Sequence, residues 1–219
     1  MKTLLAGLLL TLVISCGGST SNREMKIELN GDSILHGHLL AVSPAMKLKE
    51  LRPHLVIQNR AEVGLTLHSL VNGYDAAWLG GPVPILGFQL PFAELQRTSD
   101  VVVISVGGND AYANTSIIRF ESELRHIVST IKSEGRIPVL TGIIQLTPSD
   151  YGFDVATVNR TINFNSVINK VATEMHVLNA NWSTVAYTGL SDTTDGIHRT
   201  QSASDLLVIR LAETLDKIK

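Results

Sequence analysis

The stretch Asp100-Val101-Val102-Val103-Ile104-Ser105-Val106-Gly107-Gly108 narrows the folds open to this chain more than any other. Four successive β-branched residues favour extended backbone. They show no polar alternation, so they predict a strand buried on both faces. Such a strand needs a covering layer on each side. Four further segments read as strands: Lys26 to Asn30, Leu55 to Asn59, Ile137 to Ile144 and His176 to Leu178, with the central strand at Val101 to Val106. Helical patterns lie between them. Ile117, Phe120, Leu124, Ile127, Val128 and Ile131 recur at helical spacing, and Gly135 stands as the stop. Asp154 to Glu174 and Ala203 to Ile218 are two more helices. Strands alternating with helices predict an α/β fold, a three-layer α/β/α sandwich on a mainly parallel five-stranded sheet. Ligands of such sheets bind beyond the carboxyl ends of the strands.

At 219 residues and 44% hydrophobic content, the chain suits one domain, placed at residues 25–219. The formal net charge is -2 and no run of Lys or Arg occurs, which argues against a nucleic-acid partner. The N-terminus differs from the rest. Lys2, an apolar stretch from Leu4 to Ile14 and then small residues give the layout of a secretory signal, read as residues 1–15. That stretch is shorter than the ~20 residues of a spanning helix. Val13-Ile14-Ser15-Cys16 resembles a bacterial lipobox, in which the cysteine carries the lipid. Cys16 is the only cysteine, so no intrachain disulfide forms. The alternative is an ordinary cleaved signal that contains a cysteine. Residues 16–24 then form the lipidated cysteine and a flexible tether, and the expected location is the bacterial envelope, with the membrane as a partner. Gly73 to Pro91, rich in Gly and Pro with Tyr74, Trp78 and Phe88, reads as a long loop, functional or core-capping.

The polar residues gather at the strand ends. The first strand runs into Gly31-Asp32-Ser33 and the second into Asn59-Arg60-Ala61-Glu62-Val63-Gly64. The third runs into Gly107-Gly108-Asn109-Asp110, and Asp195-Gly196-Ile197-His198 precedes the last helix. Each block alone suits a turn. Together they bring a Ser, an Asp, a His and spare amides to one sheet edge. A serine hydroxyl needs a base to act as a nucleophile near neutral pH. A histidine can take and return that proton, and a carboxylate three residues away can hold its ring.

On these four blocks, in this order over nearly the whole mature length, the chain resembles the SGNH hydrolases, the GDSL esterase/lipase superfamily. The resemblance implies a flavodoxin-like fold and a serine esterase. Ser33 would be the nucleophile, His198 the base and Asp195 its orienting partner. The N–H groups of Ser33 and Gly64 and the Asn109 amide would form the oxyanion hole, with Gly73 as the alternative to Gly64. Ile34 stands where the family name has leucine, Ala61 where many relatives have glycine, and Arg199 where proline is frequent. No metal or organic cofactor is implied. The substrates left open are short acyl groups on envelope or extracellular carbohydrates, or the longer chains of a lysophospholipase or thioesterase. A non-catalytic binding lipoprotein on the same fold is the alternative from another class. The absence of Gly-x-Ser-x-Gly argues against an α/β-hydrolase. His36 and His38 lack a clear third ligand and are expected to be surface or core histidines, as are His54, His68, His126 and His176.

Overall fold

The structure, a computed structural model, describes residues 24–74, 89–149 and 152–218. The signal segment, Cys16 and the centre of the Gly73–Pro91 loop lie outside the described residues. The sheet contains β1 (Met25–Gly31), β2 (Leu55–Asn59), β3 (Val101–Ser105), β4 (Ile137–Leu140) and β5 (Leu178–Asn179). Its order is β2-β1-β3-β4-β5, and each neighbouring pair is parallel. Among the described residues, seven α-helices flank the sheet: α1 (Ser33–His36), α2 (Pro44–Leu51), α3 (Leu67–Asn72), α4 (Gly108–Tyr112), α5 (Ile117–Ser133), α6 (Val155–Glu174) and α7 (Gln201–Leu215).

β3 is buried along its whole length, as its unbroken apolar run requires. Val102 and Ile104 face a core shared with α3, α5 and α6, where Phe120 and Phe164 stack at 4.2 Å. Val101 and Val103 face the opposite core, closed by Leu48 of α2 and Leu207, Val208 and Leu211 of α7. Two apolar cores on the two faces of one parallel sheet make the expected three-layer sandwich.

β1 departs from its sequence pattern. Ile27 and Leu29 pack into one core, as alternation predicts, but Glu28 and Asn30 on the other face are also fully buried. Arg97, itself buried, donates to Glu28 Oε1 at 3.3 Å, and the Asn30 amide donates to the same oxygen at 2.9 Å. These bonds satisfy Glu28 Oε1 and the Asn30 amide nitrogen, while Glu28 Oε2 and Asn30 Oδ1 stay buried without a hydrogen-bond partner among the described residues.

Some boundaries shift. β4 ends at Leu140 rather than Ile144, because Asn165 of α6 holds both the N–H (2.8 Å) and the carbonyl (3.0 Å) of Ile143, which replaces ladder pairing. β5 begins at Leu178, since His176 sits in the left-handed region at φ 51°. α7 starts two residues before the expected Ala203 and stops at Leu215. The short helices α1 to α4, each four to eight residues, carry too few turns to show a periodic pattern. Among the described residues no helix is long and apolar enough to cross a membrane.

Candidate active site

The strand-to-helix turn after β1 presents Ser33. Asp32 caps α1, its carboxylate accepting the Ile34 N–H at 3.0 Å, and its own N–H donates to the Ser105 carbonyl of β3 at 2.9 Å. Only glycine fits before it: a Cβ on Gly31 would lie 2.7 Å from the Ser105 oxygen. Ser33 is therefore the first residue of α1, at the carboxyl edge of the two central strands.

The loop before α7 brings His198 to this serine from 165 residues away. Ser33 Oγ and His198 Nε2 are 2.8 Å apart, and His198 Nδ1 and Asp195 Oδ2 are 2.6 Å apart. A carboxylate only accepts, so Nδ1 carries the proton and Nε2 is left to accept from the Ser33 hydroxyl. Asp195 Oδ1 also accepts the N–H groups of Ile197 (3.1 Å) and His198 (2.8 Å). Partial burial pushes the Asp195 carboxyl upward, but the bonds from the His198 ring and these two N–H groups outweigh it, and the acid lies below its ordinary range.

The second and third blocks are tied together. Asn109, buried in the first turn of α4, donates from Nδ2 to the Leu65 carbonyl at 3.0 Å. One amide hydrogen remains for another acceptor. Asp110 accepts the Leu67 N–H with both oxygens, at 2.9 and 3.0 Å, which anchors the start of α3. Gly64 lies between these contacts in the left-handed region at φ 85°. The N–H groups of Ser33 and Gly64 donate to no described residue. Gly73 sits further away along the chain, at the end of α3, where the Tyr74–Gln89 bridge follows. A cleft of about 30 Å³ opens beside Ser33, with Asn109, Ser105, Ile143, Phe153 and Ile197 in its walls.

Four residues near this site carry features that sequence spacing did not signal. Burial pushes the Asp32 carboxyl up to about 7, against the opposing bond from Ile34. Burial likewise pushes Asp110 up to about 7, offset by the Leu67 bonds and reinforced by the charges of Glu123 and Asp32. Arg199 is buried, its guanidinium 3.9 Å from the Tyr187 ring centre, and it donates to the Gln145 carbonyl. The His38 ring packs against that of His198. Asp32 and Asp110 belong to the first and third polar blocks, but burial of a carboxylate leaves no mark in spacing. The remaining histidines fit their expected places; His68, for example, pairs with Glu123 on the surface at 2.7 Å. No metal-binding cluster occurs among the described residues.

The two buried acids set a pH dependence of stability. Each has a folded pKa near 7, above the unfolded value of about 3.9. Between those values the folded state holds more protons, so their contribution is full below about pH 4 and is lost as pH rises through about 7. Asp32→Asn keeps an acceptor for the Ile34 N–H and removes one titration. Its Tm relative to wild type is expected to rise steadily from pH 4 to pH 8; Tm–pH curves that run parallel would contradict this assignment.

Residues 29–206 match the GDSL-like lipase/acylhydrolase family, and the chain belongs to that family. The fold agrees with solved structures. The M. smegmatis aryl esterase superposes with a TM-score of 0.68 at 18% identity, over 89% of this chain and 100% of that one. A carbohydrate acetylesterase from Sinorhizobium meliloti gives 0.67 at 14% identity, over 89% and 100%. A GDSL-like lipase from Bacteroides thetaiotaomicron gives 0.65 at 14% identity, over 90% and 91%. A comparison with curated protein sequences finds no match. Family and fold together support an ester-hydrolysing enzyme.

Proposed function

We propose that the protein is a serine esterase that hydrolyses carboxylic esters through an acyl-enzyme, with Ser33 as nucleophile, His198 as base and Asp195 as its orienting acid. The observation that carries this is the unbroken hydrogen-bonded line from Ser33 Oγ to His198 Nε2, and from Nδ1 to Asp195, at 2.8 and 2.6 Å. As Ser33 Oγ bonds to the ester carbon, its proton passes to Nε2 and the carbonyl electron pair moves onto oxygen. The Ser33 and Gly64 N–H groups and the free amide hydrogen of Asn109 stabilise that oxyanion. His198 then gives its proton to the departing alcohol. Water attacks the acyl-enzyme by the same proton route in reverse. His198 must be neutral to start the cycle, so activity falls in acid.

Short acyl groups, such as acetyl on envelope or extracellular carbohydrate, are the favoured substrates. The cleft beside Ser33 is about 30 Å³ among the described residues, small for a fatty-acyl chain. The fold neighbour from Sinorhizobium meliloti is itself a carbohydrate acetylesterase. Export and a lipid anchor at Cys16 belong to the same proposal and rest on the N-terminal sequence. The test compares nitrophenyl acetate with nitrophenyl palmitate, after a fluorophosphonate probe has shown an activated serine. The acetate is expected to have the higher kcat/KM by at least tenfold. A higher value on palmitate favours a lysophospholipase or thioesterase, and absence of labelling favours a binding module.

A further inference from the structure

His198 has an aromatic neighbour that the proton line does not use. The rings of His38 and His198 lie 4.8 Å apart, centre to centre, at 69°. That is the edge-to-face arrangement aromatic pairs prefer. Among the described residues the His38 ring nitrogens have no hydrogen-bond partner.

The contact is held from both sides. α1 ends at Gly37, in the left-handed region at φ 85°, where a Cβ would lie 2.6 Å from Pro44 Cδ. The next N–H, that of His38, turns back onto the Ser33 carbonyl at 3.0 Å. Leu39 follows at φ 67°, a conformation that a branched side chain keeps only where its surroundings enforce it. The rest of this loop is tied to the chain that carries His198. Gln201, at the start of α7, accepts the Val42 N–H at 3.0 Å and donates to the Val42 carbonyl at 3.1 Å. The nucleophile's helix cap and the base's loop are thus joined beside the two rings.

We propose that His38 is a positioning residue for His198. Its ring is a side wall that keeps the imidazole aligned between Ser33 and Asp195, and its neutral π system stabilises the imidazolium formed when the Ser33 proton moves to Nε2. This rests on the esterase mechanism proposed above. The proton balance of that step is unchanged: His38 neither takes nor gives a proton.

The charged groups around the pair are few. Asp195 faces Nδ1 of His198, and Arg199, next in the chain, is turned away onto Tyr187. His36 lies on α1 and acts weakly on His38, and it also lowers Glu62, before α3, against the burial that raises that acid. Asp32 is buried at the start of α1. Desolvation and the charge of His198 hold His38 below the ordinary histidine range, so it stays neutral while His198 carries the proton.

The experiment measures kcat, KM and the pH profile of kcat/KM on nitrophenyl acetate for wild type, His38→Ala, His38→Phe and His38→Lys, with Ser33→Ala alongside. His38→Ala is expected to lose about three- to tenfold in kcat with KM within twofold. His38→Phe, which restores a neutral ring, should recover most of the loss. His38→Lys places a fixed charge beside His198, so the acid limb should move to lower pH while the maximum rate falls. Three results overturn the proposal while Ser33→Ala is inactive: His38→Ala within twofold of wild type, no recovery in His38→Phe, or an unshifted limb in His38→Lys. If Ser33→Ala keeps wild-type turnover, the esterase mechanism fails instead.

Discussion

Ser33→Ala is expected to lower kcat on an activated ester by about 10⁵- to 10⁶-fold while the protein stays folded. In the proposed mechanism this hydroxyl is the attacking group, and it lies 2.8 Å from His198 Nε2 on a turn held by the Asp32 cap. Alanine removes the nucleophile and leaves the cap, the Gly31 contact and both cores intact. His198→Ala should be nearly as damaging, because serine and base act as one unit and their losses do not add. The double variant should therefore be little worse than either single one. The check is single-turnover and steady-state kinetics on nitrophenyl acetate, fluorophosphonate labelling, and circular dichroism for folding. A folded Ser33→Ala protein with wild-type turnover would remove Ser33 from the mechanism and reduce Gly31-Asp32-Ser33 to a turn.

Asp195→Asn should cost about 10³- to 10⁴-fold in kcat, with the fold preserved. The reason lies in which atoms donate. Asparagine can still accept the Ile197 and His198 N–H groups through Oδ1, so the loop keeps its shape. Its amide then faces His198 Nδ1 with hydrogens of its own. That forces the ring proton onto Nε2, which can no longer accept from Ser33. The Asp195 side chain is 40% exposed, so water can partly replace it and the loss should fall short of that for Ser33→Ala. Asp195→Ala leaves the tautomer free and should be less harmful per molecule folded, though its loop loses the side-chain acceptor of two backbone N–H groups. Kinetics of both variants on one ester decide the point; an asparagine variant within tenfold of wild type would show that Asp195 does not set the tautomer.

Much of the fold was legible because its causes are local. The four β-branched residues of β3 specify a strand and, by their lack of alternation, its central place in the sheet. The spacing from Ile117 to Ile131 specifies the buried stripe of α5, in which Phe120, Leu124, Ile127, Val128 and Ile131 are the buried residues. The polar blocks were legible for a related reason: Gly31 ends β1, Ser33 and Asn109 lie in the first turns of α1 and α4, His198 stands before α7, and parallel strands deliver such ends to one edge. Of these, Ser33 and His198 stand within hydrogen-bond distance of each other at that edge.

Other features depend on what meets across that topology. Ile27 and Leu29 alternate along β1 with Glu28 and Asn30, yet both polar residues are buried, because Arg97 arrives from a distant loop and donates to Glu28, which also accepts from the Asn30 amide. The extent of β4 was overestimated, because the side chain of Asn165 on α6 takes over the backbone of Ile143. His36 and His38 look alike in sequence, two residues apart. The left-handed turns at Gly37 and Leu39 and the Gln201 bonds to Val42 bring the second of them against His198 and leave the first exposed. The sequence by itself determined the order of strands and helices, the four polar blocks and the residue types that chemistry needs. Only the tertiary structure decided which polar groups lose their water and which rings touch, since desolvation and contact belong to pairs of residues that the fold joins and chain spacing does not.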